Sequence, residues 1–289
     1  MKKDNNHKKD YSKEDLPKTR TEQFWRLLKD NFFTIFKLGL LLLVAVFPLI
    51  VAVVMKNINL SYIDKNETMS EIEKIHDIAS INVIFAAIFV PCIMFFFLEL
   101  SGILKILRRL IWDEPLFFKD DFFLGIKESA GQFLLFGFLI GIVNFFSILT
   151  YYTVEGWLKY LSYVMFGVSF AIFIPIILVA AYISSIYKNK VSISLSVSLK
   201  LFFRRGIFTI LVLVVLYSVY FLSFIPMSMI VYLAIIFALI IILFPIWVLI
   251  SYINCIKNLD DYVNVYYYPD KAYLGLYVNK ENMDSSKGK

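Results

Sequence analysis

Residues 206–256, fifty-one in a row, carry no charged side chain. Roughly 20 apolar residues cross the hydrocarbon core of a bilayer as one helix. The run is too long for one crossing and fits two, about 206–222 and 229–256, joined by a tight turn at S-F-I-P-M-S, 223–228. Within lipid every backbone N–H and C=O must be bonded by the chain itself, so only helices and closed barrels can span. Long unbroken apolar runs select helices. Further runs lie near 38–55, 78–98, 133–154 and 160–187, and mean hydropathy over the 289 residues is +0.72. The sequence predicts an all-α membrane protein with six transmembrane helices.

The charges sit at the ends of these runs. With the N-terminus inside, the segments predicted to face the cytoplasm hold twenty-five Lys and Arg, against four outside: Lys56, Lys65, Lys74 and Lys159. Excess basic residues mark the cytoplasmic side, so the expected location is the plasma membrane, multi-pass, with both termini cytoplasmic. The net charge of +6 follows from this topology and gives no reason to invoke nucleic acid. Residues 1–22 lack apolar periodicity and are expected to be a disordered tail. An uncleaved first span fits the chain better than a signal peptide, because 37 polar, Lys-rich residues precede it. The outer segment 56–77 is the longest one outside. Within it Ser70 and Glu73 form a capping-box pattern that should start a helix.

The runs also fall into a threefold order. A mixed basic and aromatic segment precedes spans one, three and five: L-K-D-N-F-F at 28–33, I-K-E-S-A-G at 126–131 and L-K-L-F-F-R at 199–204. Each returning span carries a proline: Pro91, Pro175 and Pro245. The expectation is three tandem hairpins, each preceded by an interfacial amphipathic helix, in a transmembrane domain of residues 23–257. The prolines would kink the returning helices by removing a hydrogen bond. Residues 191–201, V-S-I-S-L-S-V-S-L-K-L, alternate as a strand does. A lone strand at a membrane surface leaves its backbone unpaired, so the repeat favours an interfacial helix there. The basic loop around it, with Lys188, Lys190, Lys200, Arg204 and Arg205, suits anionic headgroups. The aromatic segment 258–278 is expected to dock as a turn or hairpin on the inner surface, with disorder from about 279.

Few residues offer chemistry. Glu99, at the inner end of span two, is costly in a membrane without a partner; Lys37 lies at matching depth and could pair with it. Asn144 in span three follows Gly137 and Gly141, a small-xxx-small pattern that reads as a packing face with Asn144 bonding across helices. Cys92 and Cys255 show neither disulfide nor zinc spacing. No metal-ligand spacing, phosphate loop or catalytic triad pattern is evident, so no cofactor and no enzymatic activity are expected.

The most polar stretch in the middle of the chain is R-R-L-I-W-D-E-P-L-F-F-K-D-D-F-F-L-G-I-K-E-S-A-G-Q, 108–132. Pro115 should end the second span's helix, Asp120 or Asp121 should cap the next, and Phe122, Phe123, Ile126, Ala130 and Phe133 follow helical spacing. This stretch resembles the central signature of the YesL-like bacterial membrane proteins: a basic helix end, an acidic turn (Asp113, Glu114), an aromatic segment over 118–123, then a basic amphipathic helix. The resemblance implies an integral membrane protein with an accessory part in carbohydrate uptake, and brings no catalytic residues. The part of the stretch not shared with the other repeats holds Trp112, Asp113, Glu114, Phe117, Phe118, Asp120 and Asp121, the expected contact for a membrane-transport partner protein. Membrane lipid is the other expected partner. The alternative is a transporter or permease subunit with a path between the kinked spans. Against it, Leu134 stands where the coupling motif of ABC importer permeases, aligned on Glu128-Ser129-Ala130, would need Gly.

Overall fold

A computed structural model describes residues 16–187, 189–204 and 229–277, and among them every regular element is helical. In chain order these are α1 (Arg20–Asp30), α2 (Phe32–Lys65), α3 (Glu71–Ile111), α4 (Phe118–Thr153), α5 (Lys159–Val168), α6 (Ile174–Ile186), α7 (Val191–Arg204), α8 (Met229–Ala238) and α9 (Phe244–Leu259). Single π-helical stretches, Ser169–Phe173 and Leu239–Leu243, join α5 to α6 and α8 to α9; a third, Asp260–Asn264, follows α9. Five of the resulting rods are long and apolar enough to cross a membrane. Only 22–44% of the residues in each rod's most apolar window are buried within the chain. So much uncovered apolar surface fits lipid as the surrounding solvent rather than water. The expected fifth span, 206–222, lies outside the described residues.

Several boundaries differ from the sequence reading. α2 has 34 residues and α3 has 41, which at 1.5 Å per residue is about 51 and 62 Å, well beyond a ~30 Å hydrocarbon core. The expected outer loop 56–77 is therefore mostly helix, and only 66–70 connects the two rods. The Ser70–Glu73 capping box forms as expected: Ser70 N–H donates to Glu73 Oε2 (2.9 Å) and Glu73 N–H to Ser70 Oγ (3.3 Å). At the N-terminal side the expected disorder stops short. Thr19 caps α1 by accepting from Glu22 N–H, and Arg20 and Gln23 are buried.

The three copies of the unit also diverge. α1 and α7 are separate amphipathic helices, and α7 settles 191–201 as helix rather than strand. Its alternating serines are accommodated because Ser194, Ser198 and Leu201, at helical spacing, face inward, with Ser194 bonded to Ser184 of α6 at 2.9 Å. The second copy has no separate interfacial helix, since α4 runs unbroken from Phe118 through 125–132 into its span. No proline interrupts that segment, and its apolar spacing continues in phase into the span.

Packing is most extensive between α3 and α4, the antiparallel pair whose turn is the central polar stretch. Glycines let the two rods touch. Gly125 meets Gly102 and Ser101. A Cβ on Gly137 would stand 2.6 Å from Met94 Cα, and one on Gly141 would stand 2.9 Å from Val90 Cα. Gly137 and Gly141 thus lie at a close helix crossing. Of the three prolines, Pro91 sits in an uninterrupted α-helix, whereas Pro175 and Pro245 each follow a π-helical stretch by two residues. The extra residue in a π turn relieves the register clash that proline imposes on the preceding turn. α2 comes against the second of these stretches, where any side chain at Gly39 would collide with the Ile241 carbonyl.

Candidate functional site

α1, the turn between α3 and α4, α7 and residues 260–277 all gather at one end of the bundle, where the charged and hydrogen-bonding groups are concentrated. The turn itself is built from α3's last residues. Asp113 adopts a positive φ of 57°, Glu114 N–H donates to the Arg109 carbonyl (2.9 Å), and Asp113 N–H to the Leu110 carbonyl (3.4 Å). This is the Schellman pattern, with Asp in the place usually held by Gly. Arg109 then clamps both limbs: it donates to the Pro115 carbonyl at 2.7 Å and pairs with Asp121 at 3.0 Å. Asp121 also accepts from Phe117 N–H at 2.8 Å, so it satisfies the start of α4 from inside the first turn. Asp120 plays no such part and is exposed. One turn deeper, Lys105 pairs with Glu128 at 2.9 Å.

The expected contact residues thus divide by role. Asp121 is buried and structural. Trp112 is half-buried with the Arg108 guanidinium 5.1 Å above its ring, and Phe118 is half-buried with Lys37 Nζ 5.8 Å from its ring centroid. Asp113, Glu114, Phe117 and Asp120 are exposed, and the Phe117 ring is 64% exposed on a turn whose backbone is fixed on both sides.

Two pairings expected from the sequence are absent. Lys37 is exposed and lies against Phe118, not Glu99; Glu99 is buried, and its Oε2 has no hydrogen-bond partner. The two side chains share a depth, but Glu99 is turned into the bundle and Lys37 to its surface. Asn144 does not bond across helices. Its amide donates at 3.0 Å to the Ile140 carbonyl of its own helix. It borders a cavity of about 450 Å³ among the spans, walled by Phe96, Phe97, Phe166, Phe170, Phe244 and Trp247 among others. Among the described residues Asn144 is the one polar side chain on that wall other than the indole of Trp247.

The sequence reading missed a buried clasp at the polar end. Arg20 of α1 pairs with Asp260 at 2.6 Å, the two side chains 6% and 0% exposed. Arg20 also donates to Gln23 Oε1 and the Leu274 carbonyl, while Gln23 Nε2 donates to the carbonyls of Ile111 (2.6 Å) and Gly275 (3.1 Å). Asp260 further accepts from Asn264 Nδ2 and Tyr273 N–H, and the Tyr187 hydroxyl donates to Asn264. Gly275, at φ +77°, lies so close to the Ile111 carbonyl that no side chain fits. The expected docked turn of the aromatic C-terminal segment is thus present as a π-helical stretch and tight turns around a charge. Burial and the nearby Arg108 guanidinium lower the pKa of Lys271, whose ammonium lies 4.7 Å from the Tyr187 ring centroid. Burial and the Asp260 carboxylate push the Tyr187 hydroxyl above the usual phenol range. T-R-T-E at 19–22 was the available signal, a helix start that brings Arg20 onto one face with Gln23 and Leu27.

Among the described residues no three His, Cys, Asp or Glu side chains gather as a metal site would require. Cys92 and Cys255 are free. No family model, curated protein or solved structure matches the chain.

Proposed function

We propose that this chain is a non-enzymatic protein of the bacterial plasma membrane, both termini cytoplasmic, that assists or regulates transport, of carbohydrate in the first instance, by docking a transport protein at its polar end. The observation that carries this reading is the rigid turn between α3 and α4. Arg109 fixes it on both limbs, and it still presents an uncovered Phe117 ring together with Asp113, Glu114 and Asp120. A protein partner with a basic, apolar recess suits such a knob, because exposed aromatic anchors ringed by charge are typical of recognition surfaces. The Lys and Arg distribution supports the orientation, and the resemblance to YesL-like proteins supports the link to uptake. A photo-crosslinking residue at Phe117 in the full chain should capture a membrane-transport protein in cells, whereas one at Trp157, exposed at the other end, should not. Crosslinks from position 117 to lipid alone would overturn the reading.

A second reading, a transporter with its path between the spans, draws on the 450 Å³ cavity beside the two π-helical stretches. Its weakness is the wall: a polar substrate needs several convergent hydrogen-bonding groups, and Asn144 already bonds its own helix. Solute uptake by purified protein in liposomes, reduced by Asn144→Leu, would favour this reading over the first.

A further inference from the structure

Between α7 and the segment that follows α9 runs a groove of about 360 Å³. Two cations line it, Lys200 and Arg204. They stand four residues apart on α7, so they share one helix face. Neither is in an ion pair among the described residues, and no carboxylate belongs to the described lining. Of the two acids nearest in the chain, Asp260 is buried against Arg20, and Asp261 is not part of the groove wall. Arg204 lies with its guanidinium carbon 4.3 Å from the Tyr262 ring centroid. A guanidinium stacked on a ring keeps its in-plane N–H donors available for a further acceptor. Tyr267 and Tyr268 add phenol groups at the rim, while Val197, Leu201 and Val263 make the floor apolar.

The surroundings define the occupant. α7 is an amphipathic helix at the polar end of the spans, and Ile193, Leu199 and Phe203 on it remain uncovered by the rest of the chain, as on a helix lying in a membrane interface. A free soluble anion would need only the two cations. A groove that places two cations and phenols over an apolar floor, on a helix of this kind, matches an amphiphile with its anionic group at the headgroup level. The geometry points to a site for the phosphate headgroup of an anionic glycerophospholipid, held by Lys200 and Arg204 with Tyr262, Tyr267 and Tyr268 around it and its acyl chains along Val197 and Leu201. This binding is independent of the protein partner proposed above.

The test uses the full-length protein in detergent, titrated with phosphatidylglycerol or with phosphatidylcholine of the same acyl chains and read by native mass spectrometry. Phosphatidylglycerol should bind in preference. The double variant Lys200→Gln, Arg204→Gln should weaken that binding about tenfold or more, since a basic residue near anionic lipid contributes about tenfold or less by itself. The swap Lys200→Arg, Arg204→Lys should retain it, which separates lost charge from lost folding. Lys119→Gln with Lys127→Gln, removing equal charge from exposed positions of α4, should leave it unchanged. Equal loss in that control, or undiminished binding in the Gln double variant, would overturn the site. Displacement of the lipid by millimolar inorganic phosphate would assign the groove to a soluble phosphate and overturn the lipid assignment.

Discussion

The two ends of the bundle are built on opposite plans. At the far end α2 and α3 extend past any bilayer core as bare helix and meet at 66–70, and the capping box of Ser70 and Glu73 is a contact between residues three apart in the chain. Ile72 and Ile75 there are 81% and 69% exposed. At the polar end the contacts are long-range and enclosed: Arg20 to Asp260, Gln23 to Ile111 and Gly275, Arg108 to the Ser185 carbonyl, Arg109 to Asp121. One end is held by local helix chemistry and the other by buried charge that joins distant parts of the chain. In a membrane the apolar effect supplies little force between helices, since lipid is as apolar as they are. Enclosed polar contacts at an aqueous boundary can therefore decide which helix ends stay together.

That contrast predicts a gradient of mutational effects. Asp260→Ala should cost the most, about 3–5 kcal/mol, because it leaves the Arg20 guanidinium buried without its counterion; thermal or denaturant unfolding of the purified protein in detergent would show it. Pairing Asp260→Leu with Arg20→Met should recover most of the loss, and failure to do so would mean that the clasp matters for more than its charge balance. Asp121→Ala comes next, at roughly 1.5–3 kcal/mol, since it removes charge-assisted bonds to Arg109 and to the Phe117 N–H. Faster proteolysis within 112–121 should accompany it. At the far end Ser70→Ala should cost only about 1 kcal/mol, the usual value of a lost N-cap, and hydrogen exchange should quicken in the first turn of α3 but not at the polar end. Ile72→Asn should stay within about 0.5 kcal/mol of the parent, as surface changes do. An Ile72→Asn effect as large as that of Asp121→Ala would erase the distinction between the two ends.

What could be read from the sequence tracks the range of the interaction. The membrane character, the capping box and the end of α3 at Pro115 are set by neighbours a few residues apart, and they were legible. The small-residue pattern at Gly137 and Gly141 marked a crossing, because a missing side chain is itself a local fact, although the partners Met94 and Val90 were not named by it. Depth alone misled at Glu99 and Lys37: two residues at one level on adjacent helices meet only if both helices turn the right faces, and helix rotation is decided by packing. Asn144 went to its own carbonyl for a similar reason, since the i−4 oxygen is always within reach while a partner across the crossing is not. The repeat in α7 carried more weight than its alternating pattern, because the backbone bonds a lone strand leaves open outweigh side-chain periodicity at a membrane surface. The clasp depends on residues 240 apart. One of them, Arg20, sits in a stretch too polar to show apolar periodicity, and nothing in one sequence ties it to Asp260.

The clasp also has a place in time. A ribosome adds roughly 5–20 residues each second, so Arg20 is made some 10–50 seconds before Asp260 follows it out. Through that interval the spans between them enter the bilayer while α1 has no counterion and no Gly275 backbone to close over it. The first described helix therefore completes its contacts among the last, and a chain halted before residue 260 would carry an open, water-exposed Arg20. Whatever inspects newly inserted membrane proteins would find in that uncovered guanidinium a mark of an unfinished molecule.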